Sequence, residues 1–357
     1  MNPQRIRRIR DMLREQKLDA LLVTEPSNRR YISGFTGTSG LVVITPAEAW
    51  LLTDFRYVEQ AGEQAPFFEI VEHQGEAVHT LKELLNKAGV RQLGFDQNHL
   101  VYGEYQRLQE ALNPIRLVPT AEWVERLRYV KDPEEIRLIR KAVAIADQAF
   151  EHVLNILRPG IRECDVAAEI EYKMRRLGAS GPAFDTIVAS GPRSALPHGV
   201  ASERVLQAGD MITLDFGARY QGYCSDLTRT VALGRVDDKL REIYRIVLEA
   251  QLKGLAEIRP GMTGREADAV VRSYISERGY GEAFGHGTGH AIGLDIHEAP
   301  SLSRRSESTL EKGMVLTVEP GIYLPGLGGV RIEDDVLLTE TGLEVLTGAP
   351  KEFLVIE

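Results

Sequence analysis

The sequence has very little cysteine, no long apolar run and no long basic run. Its two cysteines, Cys164 and Cys224, cannot form a disulfide framework and do not have the spacing of a zinc site, which favours a reducing compartment. No apolar run approaches the roughly 20 residues that span a membrane. Residues 1–5 lead into an amphipathic helix without the apolar core of a signal peptide. We therefore expect a cytoplasmic protein with no membrane partner.

The net charge and the length of the chain indicate which partners and how many domains to expect. The net charge is -9 and basic residues are not clustered, which argues against a nucleic-acid partner. A chain of 357 residues is long for one domain and comfortable for two.

Strand and helix patterns alternate through residues 1–130. They predict an α/β domain with a mixed sheet. The glycine-rich run at residues 31–40 is not a phosphate loop, because it lacks the Gly-Lys-Ser/Thr ending and no long helix follows it. Three histidines are interpreted here as ordinary surface residues, since no second metal ligand lies at a useful spacing: His73, His79 and His99. This part alone carries no predicted chemistry.

A domain boundary is predicted beside Asp132 and Pro133. Aspartate followed by proline is typical of a helix start, with the cap first and the proline at the first helical position. The second domain is therefore expected to cover residues 131–357.

The second domain contains a repeat of itself. Leu-Arg-Pro-Gly-Ile at residues 157–161 matches Ile-Arg-Pro-Gly-Met at residues 258–262, and each run lies between two predicted helices. An internal duplication of about a hundred residues explains this pattern. Two related halves that face each other form a cleft, which is a natural place for a site.

The first half contributes two aspartates in a predicted hairpin. Residues 211–216 and 223–232 read as strands, and a turn about Tyr220 and Gln221 would place Asp215 nearly opposite Asp226. Cross-strand neighbours have Cβ atoms about 4.5–5.5 Å apart. Two carboxylates that close repel each other unless a cation lies between them. Alternatively, one aspartate ends its strand at the surface, but the apolar residues before Asp215 disfavour this.

The second half contributes His290, Glu319 and Glu333. Both glutamates stand in strand-forming sequence, where an acidic side chain is costly unless it is paired or metal-bound. Taken alone, Glu333 pairs equally well with Arg331, and a lone histidine is more often structural. The coincidence of four carboxylates, with three histidines within twelve residues, favours a pocket. His290 and His297 are seven residues apart, but the sequence between them is typical of a strand or turn, not of a helix.

One imidazole and four carboxylates suit a pair of divalent cations. Mn²⁺ is the first choice for such oxygen-rich ligands, with Co²⁺, Zn²⁺ and Fe²⁺ as alternatives. A structural zinc site is excluded because nitrogen ligands are too few and sulfur ligands are lacking. Paired ions about 3.5–4 Å apart hold a bridging hydroxide and polarise a carbonyl, so hydrolysis is the predicted reaction class.

The ligand candidates, in this order and in these local contexts, resemble those of the pita-bread metallopeptidases. The His-Gly-Thr-Gly-His run at residues 286–290, Leu-Pro-His-Gly at 196–199 and a full N-terminal domain are similar to the Xaa-Pro branch, aminopeptidase P and prolidase. Gly-Phe-Thr-Gly at 34–37 and Thr-Asp-Phe-Arg-Tyr at 53–57 resemble the N-terminal domain of that branch. The resemblance implies a creatinase-like α/β N-terminal domain, then an α+β pita-bread catalytic domain with an internal pseudo-twofold repeat.

The resemblance also implies roles for individual residues. Glu319 would shuttle the proton of the bridging water, and His297 and His198 would hydrogen-bond the substrate carbonyl or the tetrahedral intermediate. Thr228 would donate to a ligand carboxylate. The implied metal ligands are Asp215, Asp226, His290, Glu319 and Glu333, and the implied substrate-binding residues are His198, His286, His297, Tyr323 and Arg331.

The implied activity is cleavage of the Xaa-Pro bond at the N-terminus of small peptides with proline in second position. The implied assembly is a homodimer. An Xaa-Pro dipeptidase is the main alternative, because loops outside the site decide whether the pocket stays open beyond proline. Three further alternatives are disfavoured: a methionine aminopeptidase by the N-terminal domain and His198, and a creatinase-like enzyme and an inactive peptide-binding module by the complete ligand set.

Overall fold

The computed structural model describes residues 3–357. Within them the chain divides into two compact units, one ending at Arg128 and the other covering Tyr129–Glu357. No helix of the described residues is both long enough and apolar enough to cross a membrane.

The first unit is an α/β domain built on a six-stranded mixed sheet, as the sequence predicts. Its strands are β1 (Ala20–Val23), β2 (Leu41–Ile44), β3 (Ala49–Thr53), β4 (Glu69–Glu72), β5 (Gln92–Asp96) and β6 (Arg116–Thr120). The strand order is β4-β3-β2-β1-β5-β6, and β1 is antiparallel to β2 but parallel to β5. The helices that begin in this unit are α1 (Pro3–Gln16), α2 (Pro26–Ser33), α3 (Val58–Gln64), α4 (Ala77–Lys87), α5 (Tyr102–Leu112) and α6 (Trp123–Tyr129).

Apolar residues at helical spacing explain how these helices pack. In α1 the buried residues are Ile6, Ile9 and Leu13, which recur at three- and four-residue steps. In α4, Leu81 and Leu85 are fully buried and join the core formed with the sheet.

The second unit begins with a capped helix at the predicted position. Asp132 accepts hydrogen bonds from the amides of Glu134 and Glu135, with Pro133 at the first helical position. The helices of this unit are α7 (Pro133–Leu154), α8 (Glu163–Arg176), α9 (Asp238–Glu257) and α10 (Gly264–Glu277), with short 3₁₀ turns at Gly191–Ala195 and Gly281–Ala283.

Mostly antiparallel sheets follow each pair of helices. The strands are β7 (Gly181–Pro182), β8 (Ile187–Ser190), β9 (Met211–Phe216), β10 (Ala218–Tyr220), β11 (Tyr223–Cys224), β12 (Leu227–Leu233), β13 (Gly289–Ala291), β14 (Glu298–Leu302), β15 (Val315–Val318), β16 (Gly321–Leu324), β17 (Gly328–Arg331), β18 (Asp334–Leu338), β19 (Leu343–Val345) and β20 (Val355–Ile356). The sheet orders are β20-β12-β9-β8, β14-β13-β15-β18-β19, β11-β10-β7 and β16-β17, and β20 is parallel to β12.

The internal repeat is visible in equivalent hydrogen bonds. In the first half the amide of Gly160 donates to the carbonyl of Leu206 at 3.0 Å, and in the second half Gly261 donates to Leu310 at 2.9 Å. Both glycines have positive φ, 95° and 90°, which explains why each matching run contains glycine. The two halves therefore use the same turn to connect their first and second helices.

One predicted register is wrong. β9 and β12 pair Asp215 with Thr228, not with Asp226. The turn is centred on Gln221 and Gly222, whose φ values of 44° and 82° fit a two-residue type I′ hairpin turn. The turn thus lies one residue later than predicted, which moves every cross-strand partner by two positions. Asp226 stays on the same face as Thr228, because side chains alternate along a strand.

Candidate metal centre

The predicted ligands come from both halves of the second unit. Asp215 is on β9, Asp226 immediately precedes β12, and His290 is on β13. Glu319 follows β15, and Glu333 lies between β17 and β18. Because β13 and β14 form an antiparallel pair, the segment from His290 to His297 is a strand and turn, as predicted.

Three of the predicted carboxylate ligands lie close to the imidazole of His290, those of Asp226, Glu319 and Glu333. The ligand atoms of Asp226, His290 and Glu333 all lie within 4.8 Å of one another. His290 Nε2 is 3.6 Å from an oxygen of Asp226 and 3.5 Å from an oxygen of Glu319. The Nδ1 atom of His290 donates to the carbonyl oxygen of Ala291 at 3.1 Å. This bond leaves Nε2 unprotonated and aimed at the carboxylates, which is the tautomer that a metal ligand needs.

Asp215 completes the set from the other side of the cluster. One of its oxygens accepts a hydrogen bond from Arg331 Nη2 at 2.5 Å. Its other oxygen, Oδ1, is buried and has no hydrogen-bond partner among the described residues. An unpaired buried carboxylate oxygen is costly, so this atom fits a position that a cation fills.

Burial makes the cluster unfavourable without cations. Burial, added to the charges of Glu333 and Asp215, raises the pKa of Asp226 well above its ordinary value. Burial also raises the pKa of Glu333 well above the ordinary value and raises the pKa of Glu319. The same burial lowers the pKa of His290, which favours the neutral imidazole. Divalent cations would hold these carboxylates ionised, and the donor set of oxygens and one imidazole nitrogen fits such ions.

Two threonine side chains donate hydrogen bonds to the carboxylates of Glu333 and Glu319. Thr228 donates to Glu333 Oε2 at 2.6 Å, as the sequence analysis predicts for a carboxylate partner. Thr317 donates to Glu319 Oε1 at 3.2 Å. Such bonds limit the rotation of a ligand and set which oxygen faces the ion.

Arg331, Tyr323 and His286 form a chain of hydrogen bonds beside the ligands. Arg331 Nη1 donates to the hydroxyl of Tyr323 at 2.7 Å, and that hydroxyl lies 2.8 Å from His286 Nε2. His286 Nδ1 donates to the carbonyl of Gly287, so Nε2 accepts from the tyrosine. Tyr323 is buried behind this group and is not part of the cavity wall, whereas Arg331 and His286 line the cavity.

A cavity of about 480 Å³ opens onto the cluster. His198 and His297 line it, and the ring of His297 lies 4.5 Å from that of His290, centroid to centroid. Burial lowers the pKa of His297. Sequence reasoning missed the apolar part of the wall, because these residues stand in segments without a motif: Phe184, Ile187, Pro197, Val200 and Ile296.

A second cluster lies in the first unit and was also missed. Contrary to the prediction for His99, two carboxylates lie within ligand distance of its ring, those of Asp96 and Glu125. His99 Nε2 is 3.0 Å from Glu125 Oε1 and 3.7 Å from an oxygen of Asp96. Glu125 is 26 residues away on α6, a distance that no sequence spacing indicates. His99 also lines a cavity of about 1040 Å³ in this unit, remote in sequence from the ligands described above.

Comparisons with known proteins agree with this architecture. Residues 137–340 match the model of metallopeptidase family M24, and residues 5–130 match the creatinase/prolidase N-terminal domain. The chain is 40% identical over 353 residues to the Xaa-Pro dipeptidase of Pyrococcus horikoshii, covering 98% of this chain and 99% of the relative.

Solved structures of similar proteins have the same fold over nearly the whole chain. The Xaa-Pro dipeptidase from Bacillus anthracis superposes with a TM-score of 0.97 at 53% identity, covering 99% of both chains. The X-Pro aminopeptidase from Thermotoga maritima superposes with a TM-score of 0.91 at 42% identity, covering 95% of this chain and 98% of the other. The creatinase-like first unit and the pita-bread second unit are thereby established, and this chain belongs to metallopeptidase family M24.

Proposed function

We propose that this chain hydrolyses the Xaa-Pro bond at the N-terminus of small peptides, using two divalent cations. The observation that carries the proposal is the buried cluster of carboxylates around His290 Nε2, opening onto a cavity with an apolar wall. The ligands would be Asp215, Asp226, His290, Glu319 and Glu333, with Mn²⁺ as the first choice. When bound, the ions would supply an activated water and polarise the scissile carbonyl.

Glu319 is the proposed proton carrier. Its Oε1 atom accepts from Thr317 and faces His290, whereas Oε2 lies 3.9 Å from His286 Nδ1. Oε2 would take a proton from the attacking water and pass it to the proline nitrogen as the carbon–nitrogen bond breaks.

His297 and His198 are proposed to stabilise the charge that develops on the carbonyl oxygen. Both line the cavity beside the ligands and are partly open to solvent, so a substrate reaches them. A donor aimed at the developing oxyanion contributes more to the transition state than to the bound substrate. Arg331 and His286 would line the substrate side of the pocket, with Tyr323 bracing them through the hydrogen bonds described above.

The apolar wall supports selectivity for proline. A prolyl amide has no N–H to donate and a fixed φ, so a site for it depends on shape more than on hydrogen bonds to the scissile nitrogen. Phe184, Ile296 and Val200 offer apolar surface in the same cavity as the ligands. We propose that the proline ring packs against this surface.

We place aminopeptidase activity first and dipeptidase activity second. The first choice rests on the resemblance of the first unit and on the Thermotoga maritima X-Pro aminopeptidase among the similar structures. The second is supported by the names of two similar proteins, from Bacillus anthracis and Pyrococcus horikoshii, which are Xaa-Pro dipeptidases. We further propose a homodimer in the cytoplasm, the location being supported by two free cysteines.

The test is hydrolysis of Ala-Pro and Ala-Pro-Ala by metal-stripped protein to which Mn²⁺ is returned. Cleavage of both, or mainly of the tripeptide, supports the aminopeptidase, and cleavage of Ala-Pro alone supports the dipeptidase. Glu319→Gln should abolish either activity, whereas Glu344→Gln, at a half-exposed glutamate of the same unit, should not. Absence of Mn²⁺-dependent cleavage of both peptides would contradict the proposal and favour a peptide-binding module.

A further inference from the structure

Two segments of the second unit cross at the ligand cluster with an approximate twofold relation. The amide of Glu333 donates to the carbonyl of Thr228 at 3.1 Å, and the Thr228 hydroxyl donates back to Glu333 Oε2. Thr228 and Glu333 therefore form the centre of a short antiparallel crossing between β12 and the segment that joins β17 to β18. This crossing brings the two halves of the repeat together at the ligands.

At each end of this crossing a side-chain oxygen accepts a hydrogen bond from a backbone amide of the other segment. At one end the amide of Asp226 donates to Asp335 Oδ2 at 2.8 Å. At the other end the amide of Arg331 donates to Thr230 Oγ1 at 3.1 Å. The acceptor Asp335 lies two residues after Glu333, and its donor Asp226 lies two residues before Thr228. Likewise the acceptor Thr230 lies two residues after Thr228, and its donor Arg331 lies two residues before Glu333. Asp335 and Thr230 thus occupy equivalent positions in the two crossing segments.

Asp335 has no access to a substrate. Its side chain is fully buried, and it is not among the residues that line the cavity. Its own amide donates to Thr347 Oγ1 at 2.9 Å, which holds its backbone in place. Its Oδ2 atom contacts the backbone of Asp226, so its hydrogen bond acts on the cluster through that backbone.

We propose that Asp335 is a positioning residue, which fixes the backbone of Asp226 so that the carboxylate of Asp226 meets the ion held by Glu333. The inference rests on the proposed role of Asp226 and Glu333 as metal ligands. Its structural basis is that Glu333 and Asp335 are two residues apart on one segment, so a single segment both supplies one ligand and fixes another. Removal of the Asp335 acceptor frees the Asp226 backbone, since no other acceptor for that amide is present among residues 3–357.

The experiment measures Mn²⁺ binding to the metal-stripped full-length chain by titration calorimetry, with the electron paramagnetic resonance spectrum of the loaded protein as a second readout. For Asp335→Ala we expect Mn²⁺ affinity to fall by about 10–100-fold, the range usual for partners of metal ligands. The spectral signature of two coupled ions should weaken in parallel. Asp335→Asn keeps an acceptor oxygen for the Asp226 amide and should bind Mn²⁺ nearly as the wild type does.

The matched control is Asp147→Ala. Asp147 also accepts hydrogen bonds from two backbone amides, those of Gly348 and Ala349, at 2.8 and 2.9 Å. Neither of these residues is a proposed metal ligand. It should lower stability without changing Mn²⁺ affinity. Asp335→Leu, which lacks the acceptor but fills the space, replaces the alanine variant if that one does not fold.

Two results would overturn the inference. One is wild-type Mn²⁺ affinity in the variants without an acceptor. The other is an affinity in Asp335→Asn as low as in Asp335→Ala, which would mean that charge and not position matters. A different result, unchanged Mn²⁺ affinity in Asp226→Asn, would instead contradict the proposed ligand set and with it the proposed function.

Discussion

Each unit contains a histidine between carboxylates, and the two clusters differ in burial and in hydrogen bonding. In the first unit the His99 side chain is 41% exposed, and its Nε2 atom makes an ion pair or hydrogen bond with Glu125. In the second unit Asp226 and Glu333 are buried, and the imidazole of His290 is oriented by its bond to Ala291. One oxygen of Asp215 has no hydrogen-bond partner within residues 3–357.

The difference in burial and hydrogen bonding distinguishes an ion-paired surface group in the first unit from the proposed metal centre in the second. Both clusters bring ligand atoms within 4.8 Å of one another, so distance alone does not distinguish them. In the second unit the carboxylates are buried beside one another, so we expect them to need a cation for charge balance. In the first unit water and the protein's own groups balance the charge. The following predictions test this contrast, from the largest effect to the smallest.

The largest effect is expected from matched glutamate-to-glutamine variants of the two clusters. Glu333→Gln removes a proposed ligand, so kcat/KM for Ala-Pro-Ala should fall by more than about 10³-fold, because bound ions contribute several kcal/mol to the transition state. Glu125→Gln should leave both activity and metal content unchanged. Steady-state kinetics with metal analysis of the purified proteins measures both, and equal losses in the two variants would break the contrast.

A smaller loss is expected from His297→Ala. This variant removes a proposed oxyanion donor while keeping the ligands, so kcat should fall by about 10²–10³-fold with the Mn²⁺ content unchanged. His79→Ala, at an exposed histidine of the first unit, is the control. Unchanged kcat in His297→Ala, or loss of Mn²⁺ from it, would show that this histidine has another role.

The free energy of unfolding should also differ between variants of the two clusters. Arg331→Met leaves the buried Asp215 without its ion-pair partner, so in the metal-free protein the free energy of unfolding should fall by about 3–5 kcal/mol. His99→Ala breaks a partly exposed pair and should cost about 1 kcal/mol or less. Urea unfolding of the metal-free proteins measures both losses, and losses of similar size would be evidence against the difference in burial.

The smallest effect is a pH dependence in the first unit. Burial, together with the hydrogen bond and charge of Glu125, raises the pKa of Asp96 to about 6 although His99 lowers it. Between pH of about 4 and 6 the unfolded chain releases a proton that the folded chain keeps, so this group makes stability fall as pH rises through that window.

Asp96→Asn should remove this fall while keeping the bond from the Asn98 amide. The expected change in the urea midpoint between pH 4.5 and 6.5 is about 0.5 M or less. A wild-type profile without the fall would indicate that a cation keeps Asp96 ionised, and the two clusters would then be alike.

The sequence predicts most of the second unit because its signals are local. The cap at Asp132, the glycines of the two matching runs and the alternating strands each act through neighbours in the chain, and the fold confirms them. The register of Asp215 could not be predicted as well, because it depends on whether the turn is centred one residue earlier or later. Both alternatives contain Gln221, which has no steric preference for the positive φ that it adopts.

Long-range partners were beyond sequence reasoning. Glu125 reaches His99 only because α6 packs beside the loop after β5, and Asp335 reaches the Asp226 amide across two sheets. Neither pair has a spacing that a single sequence distinguishes from chance. The residues of the apolar cavity wall could not be predicted either, because Phe184 and Ile296 are of types that usually lie in the core.

The division of the proposed ligands between the two halves has a consequence for the order of folding and metal binding. Asp215 and Asp226 leave the ribosome well before Glu319, Glu333 and Asp335, and β12 pairs with β20, which is later still. A nascent chain therefore carries at first only two of the five proposed ligands and should not yet hold the ions tightly. Because ions that bind only the folded chain stabilise it by mass action, metal loading should act as the last step of folding and not as its nucleus.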